Sequence, residues 1–230
     1  MSKRTTPELL ADVFGVSLGW GTGATLEHAT VQAMAEPVAE ARAAGQAQPA
    51  APLDEPGWRE GQPRAWLWTL GTTWGTVLVV RRSRRGQVAQ ALVGERFWGW
   101  VVTDRWRADS WYPPWRRQRC WAHRRRDLDA RSARGGRSQE IGEALRVQAR
   151  QMFHWWHRVR DGTLAHPTFA RSTWPVRREM ERRLAAGQTC GVPKTEGICR
   201  ELLKRRQALG TFVRHAGVEP TNNAAERAIR

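Results

Sequence analysis

The chain has 230 residues, 40% of them hydrophobic, enough for one domain with an added segment and a core that needs no disulfides. Lys and Arg number 38 against 22 Asp and Glu, a net charge of +16 carried almost entirely by Arg, which points to a polyanionic partner such as DNA or RNA. Three cysteines, a polar Met1 to Leu10 and the absence of any apolar run approaching a membrane span exclude a secreted disulfide framework, a signal peptide and a membrane protein, so the chain reads as soluble and cytoplasmic.

Residues 6 to 48 are expected to be helical. Thr6-Pro7-Glu8 is a start signal, with Thr as N-cap and Pro at the first helical position. A glycine-rich break from Gly15 to Gly23 precedes a second helix that Thr25 opens and that fades near Gly45. The three prolines between Ala47 and Pro56 read as a connection, with a strand beginning near Asp54. Short strands are then expected over Arg64–Leu70, Gly75–Val80, Phe97–Thr103 and Gln118–Ala122, with a two-turn helix over Gln87–Val93. This order predicts an α/β fold with a mixed sheet. From Arg124 to Arg214 helical spacing takes over. Glu140–Val159 carries Ile141, Leu145, Ala149, Met152, Phe153 and Trp156 on one face, and Pro175–Ala186 and Thr195–Phe212 follow. Pro220 and Thr221 introduce a last helix.

Three acids stand where they can converge. Asp54 lies where a strand enters the sheet, Asp104 at the C-terminal end of another strand, and Glu226 in the first turn of the last helix. Neighbouring strands are about 4.8 Å apart, so two strand-end acids can share one divalent ion and a helix can deliver a third. Oxygen-only ligands suit Mg²⁺ or Mn²⁺, and two such ions clamp the attacking and leaving oxygens of a phosphoryl transfer. Glu55 adjoins Asp54, and in a regular strand only one of them faces the metals; Asp54 is the choice made here. Ordinary alternatives stand beside each acid. Asp54 fits a turn between Pro52 and Pro56, and Asp104 fits an ion pair with Arg105 or Arg107. Asn223-Ala-Ala-Glu226 fits a capping box, and Glu226 with Arg230 an i,i+4 pair. Spacing alone favours these alternatives.

The local words carry a resemblance. Asp54-Glu-Pro-Gly-Trp-Arg59 with Arg64-Ala-Trp-Leu-Trp68 is similar to the first-acid block of the insertion-sequence-66 family of transposases, and Val102-Thr-Asp104-Arg-Trp106 to its second. Arg116-Arg-Gln-Arg-Cys120-Trp-Ala-His123-Arg-Arg-Arg-Asp127 resembles the segment that follows the second acid. Glu219-Pro-Thr-Asn-Asn-Ala-Ala-Glu226-Arg-Ala-Ile-Arg230 resembles the third-acid block. The resemblance implies a ribonuclease-H-like mixed sheet with an α-helical insertion between the second and third acids, preceded by N-terminal helices. It implies metal-ligand and catalytic roles for Asp54, Asp104 and Glu226 around two Mg²⁺ or Mn²⁺ ions. The implied reaction is DNA strand cleavage by water, followed by attack of the freed 3′-hydroxyl on target DNA, by a homo-oligomer assembled on DNA. The organisation expected is an N-terminal helical segment over 1–48 and a catalytic core over 49–230, with the insertion at about 124–214. Pro56 stands where the family usually has Thr. Members also carry an N-terminal zinc-binding, DNA-recognition region and continue beyond the third acid, so the chain reads as a core truncated at both ends. A second reading keeps only the charge: a non-catalytic, basic nucleic-acid-binding remnant of a degraded transposase gene.

Two further patterns remain. Cys120-Trp-Ala-His123 is a CxxH pair, but a zinc site needs four ligands and Cys190, Cys199 and the other histidines lack matching spacing. A half-buried cysteine and a packed histidine are therefore the expected state. Arg116, Arg117, Arg124 and Arg125 interleave with Trp115 and Trp121, a pattern suited to phosphate tracking and base stacking. Asn222, Asn223 and Arg227 join them as nucleic-acid-binding candidates, with helix capping the favoured duty of the two asparagines.

Overall fold

The computed structural model describes residues 5–59, 63–73, 75–104 and 111–229. Arg105, Trp106, Arg107 and Arg230, and with them the expected ion pairs of Asp104 and Glu226, lie outside the described residues.

One mixed sheet of six strands organises the chain: β1 (Ala50–Asp54), β2 (Gly57–Arg59), β3 (Arg64–Gly71), β4 (Thr76–Arg81), β5 (Trp100–Thr103) and β6 (Arg117–Arg119). β1 is central. It runs parallel to β5, with Ala51 opposite Val101, and antiparallel to β3, with Asp54 opposite Thr69. β2 continues along the same edge of β3, β4 pairs with its other edge, and β6 lies parallel beyond β5. A mixed sheet of this order, with helices on both faces, is compatible with the ribonuclease-H-like arrangement the resemblance implies.

The proline-rich stretch expected as a connection is instead this central strand, and Asp54 ends it rather than beginning it. Ala51 and Leu53 are buried, and that burial outweighs the loss of one N–H donor at Pro52. Gly71 makes room for the proline: a Cβ there would lie 2.9 Å from the Pro52 ring. β5 is shorter than expected because Gly99 passes against Pro49, where a Cβ would sit 2.5 Å from the carbonyl oxygen, and pairing begins at Trp100.

Alternation splits the core in two. Val101 joins Leu53, Trp68, Leu70, Leu92 and Val93 on the face covered by α3 (Ala35–Ala47) and α4 (Gly86–Val93). Its neighbour Val102 joins the opposite cluster, beneath α5 (Trp121–Ser132), α6 (Gly136–Arg160), α7 (His166–Ser172), α8 (Trp174–Gly187) and α9 (Pro193–Lys204). Phe153, Phe169 and Phe212 stack there, with ring centroids 5.8–6.1 Å apart.

The expected N-terminal helices are three, with α1 (Thr5–Phe14) and α2 (Trp20–Ala33) ahead of α3. Neither α1 nor α2 has a buried residue, whereas α3 packs onto β3, β4 and α4, and Gln46 and Gln48 reach the carbonyls of Leu92 and Gly71. The helix expected over Thr195–Phe212 is broken into α9, α10 (Arg206–Leu209) and α11 (Thr211–Arg214). Polar groups of the sheet draw its last part aside: Thr211 Oγ1 donates to the Arg117 carbonyl and the Phe212 N–H donates to the buried Gln118 side chain. The chain ends in α12 (Asn223–Arg227). No described helix is long and apolar enough to cross a membrane.

Candidate functional site

β1 and β5 are parallel neighbours, so their C-terminal ends open on the same side of the sheet. Asp54 is the last residue of β1 and Asp104 follows the last residue of β5. Their backbones are held: Thr69 Oγ1 donates to the Asp54 carbonyl and Arg119 Nη1 to the Asp104 carbonyl. α12 crosses this end and packs on β1 and β3. The segment before it is anchored twice. Asn222, fully buried, donates from Nδ2 to the Leu53 carbonyl at 3.3 Å, and the Trp121 N–H donates to the Pro220 carbonyl at 2.9 Å.

Glu226 is thereby brought near Asp54. Burial pushes the Asp54 carboxyl up to about 6, and the negative charges of Glu226 and then Asp104 add to the shift. Asp54 thus feels two carboxylates that lie far from it in sequence. The expected capping box does not form: Asn222, not Asn223, is the N-cap residue, and it makes no side-chain cap bond. Glu226 Oε1 is buried without a hydrogen-bond partner among the described residues.

Asn222 is the side chain that fixes where Glu226 stands. Asn222→Ala is expected to destabilise the protein by about 1–3 kcal/mol, because it leaves the Leu53 carbonyl without that buried donor. Chemical denaturation checks this, and a loss under about 0.5 kcal/mol would remove Asn222 from that role.

Glu55 is a member of this neighbourhood that strand alternation set aside. β1 ends at Asp54, so the alternating rule does not reach Glu55. Its side chain is 5% exposed and pairs with Arg84 at 2.9 Å. Burial and then the charge of Asp104 push its carboxyl up to about 7, with Arg84 opposing. The adjacent Asp-Glu pair was its signal in the sequence; the Arg84 partner had none.

Cys120 and His123 also meet here. Cys120 is the N-cap residue of α5, and its sulfur, one ring nitrogen of His123 and a carboxylate oxygen of Glu226 lie within 4.8 Å of one another. His123 Nδ1 is 3.9 Å from Glu226 Oε1. Burial pushes the Cys120 thiol up, while the N–H groups of Asn222, His123 and Ala122 favour its thiolate and act the other way.

The arginines divide by burial. Arg124 is buried and pairs with Asp127 at 3.3 Å, and Trp121 is a core residue whose indole N–H donates to the Leu209 carbonyl. Arg125, Arg227 and Asn223 are exposed, and Arg116 and Arg117 half-buried. The Arg116 guanidinium lies 3.9 Å from the ring centroid of the exposed Trp98, a cation-aromatic pair at the surface.

These features define an α/β protein with a polar site built at strand ends and closed by a C-terminal helix. The chain belongs to the IS66 family of transposases: the family model described as Transposase IS66 family matches residues 4–230. Membership supports a transposase role and implies DNA as the partner. Comparisons with curated proteins and with solved structures gave no match.

Proposed function

We propose that Asp54, Asp104 and Glu226 are the catalytic acids of a DNA transposase that cuts DNA strands at an element's ends and joins the freed 3′-hydroxyl to target DNA. The observation that carries this reading is the crowding of carboxylates, in which Asp54 is raised by burial and by both other acids. A solvated basic remnant has no use for such a cluster, and charge alone does not account for it.

A hard divalent ion fits these residues. The donors are all carboxylate oxygens, Glu226 Oε1 is buried without a hydrogen-bond partner among the described residues, and a cation would offset the repulsion on Asp54. Asp54, Asp104 and Glu226 would hold Mg²⁺ or Mn²⁺, with substrate phosphate as a further ligand. When bound, the metal pair supplies an activated oxygen nucleophile and charge stabilisation of the leaving oxygen. The chain's own groups set the frame. Asn222 ties α12 to β1 through the Leu53 carbonyl, and Arg84 holds Glu55 beside the acids.

We assign phosphate contact to Arg116, Arg117, Arg125, Arg227 and Asn223. Arg124 and Asn222, both buried, are given the structural duties described above. The sheet is read as ribonuclease-H-like, with the helices between β6 and α12 as an insertion at about 124–214 in a core over 49–230. The exposed helices before α3 belong to the N-terminal segment over 1–48. A multimer on DNA follows by analogy with synaptic assemblies.

The test is Mn²⁺-dependent cleavage of DNA carrying the element's ends by this chain. The reading predicts cleavage that stops with a chelator and in Glu226→Gln. Cleavage that persists in Glu226→Gln would overturn it.

A further inference from the structure

The CxxH pair has no function in the carboxylate reading, yet it is placed with care. Cys120 caps α5 and His123 follows three residues on, so one turn of helix presents both on one face. Glu226 comes to them from α12, at the far end of the chain. The His123 Nδ1 to Glu226 Oε1 separation of 3.9 Å is too long for a hydrogen bond. Both atoms are buried and neither has a hydrogen-bond partner among the described residues. Buried polar atoms in native proteins are rarely left this way, and each such atom calls for an explanation.

A thiol, an imidazole and a carboxylate are ligands of a soft or borderline divalent ion, whereas Mg²⁺ prefers oxygen alone. Metal bonds of about 2.0–2.3 Å in a tetrahedron place the donor atoms roughly 3.3–3.6 Å from one another. The three groups, all within 4.8 Å, reach that spacing by side-chain shifts of about 1 Å. The fourth ligand, for which the sequence offers no cysteine or histidine at suitable spacing, is then water, as in open zinc sites.

We propose that Cys120, His123 and Glu226 form a zinc-type site that shares Glu226 with the oxygen-ligand site, so that a soft divalent ion and a hard one compete for one carboxylate. The soft site stands on its own geometry; only the competition rests on the catalytic reading of Glu226. On binding, the Cys120 thiol releases its proton to solvent and the sulfur bonds the metal. A soft ion thus turns Glu226 away from Asp54 and Asp104 and inhibits cleavage.

Co²⁺ titration of the whole chain under a phosphine reductant tests the site. The expected result is a near-ultraviolet sulfur-to-cobalt band that saturates at one equivalent and is displaced by Zn²⁺. The band is lost in Cys120→Ser and His123→Ala and kept in Cys190→Ser. In Glu226→Gln it persists but requires at least about tenfold more Co²⁺, which keeps the test informative if Cys120→Ser does not fold. Absence of the band, or its survival in Cys120→Ser, overturns the site. The sharing is read from Mn²⁺ binding: a Zn²⁺-loaded chain should bind Mn²⁺ at least about tenfold more weakly than the metal-free chain, and an unchanged affinity overturns the sharing. Failure of the catalytic reading looks different, because Mn²⁺ binding would then be indifferent to Asp54→Asn and Asp104→Asn while the cobalt band stayed.

Discussion

Asp104→Asn is expected to lower Mn²⁺-dependent DNA cleavage by at least about a hundredfold, with DNA affinity changed by less than about twofold. The asparagine keeps the shape of the side chain and removes the charge. Second-shell changes around a metal already cost about 10–100-fold, so loss of a ligand sets a floor at the upper end of that range. Affinity for DNA, by contrast, is assigned to arginine contacts with phosphate, and should respond to salt rather than to one acid. Asp54→Asn should behave alike, and the double variant should be no worse than either single one, because groups that act as a unit are not additive. Gel cleavage and filter binding on the same preparations check all of this. Additive losses in the double variant would mean that the acids act separately.

The second large effect is on stability. Without metal, wild type should lose melting temperature relative to Asp54→Asn as pH rises from about 5 to 8, by roughly 2–6 °C. The sign follows from the raised carboxyls. Asp54 titrates at about 6 against an ordinary 3.8, and Glu55 at about 7 against 4.5. A proton is therefore bound more tightly in the fold than in the unfolded chain. The stability it brings is fully present below the ordinary values and is lost as pH rises through the folded ones. Comparison with Asp54→Asn cancels most of the repulsion of a chain carrying +16. Millimolar Mn²⁺ should close the gap at pH 8 and do little at pH 5, where Asp54 is largely protonated. Scanning calorimetry of both proteins across pH, with and without Mn²⁺, is the check; a flat difference would remove the carboxylate crowding from the account. Such stored repulsion is a common property of functional sites, where local strain is held by the surrounding fold.

Much of this was legible in the sequence. The runs Arg64–Leu70 and Gly75–Val80 give their strands because β-branched and aromatic residues between turn residues fit a half-buried pleated surface. Glu140–Val159 gives its helix because six apolar residues fall on one face and pack against α5, α7 and α8. The apolar run before Asp104 predicts its position at a strand end, and it follows the last residue of β5. The local prolines misdirected the reading of β1, since the fit of Pro52 depends on Gly71 in another strand. Glu55 was set aside by a rule that holds only inside a regular strand. Asn222 and Asn223 are indistinguishable as letters, and only the Leu53 carbonyl decides which one is buried. The meeting of Cys120 and His123 with Glu226 requires the tertiary fold, because nothing in the CxxH word signals a carboxylate from the last helix.

Mn²⁺ titration followed by electron paramagnetic resonance, on wild type and on Asp54→Asn, Asp104→Asn and Glu226→Gln, tests most directly whether the three acids meet around one group of ions. The account predicts saturable binding that weakens at least about tenfold in every one of the three. Full-strength binding in Glu226→Gln would contradict it, since the last helix would then contribute nothing to the place where the two strands end.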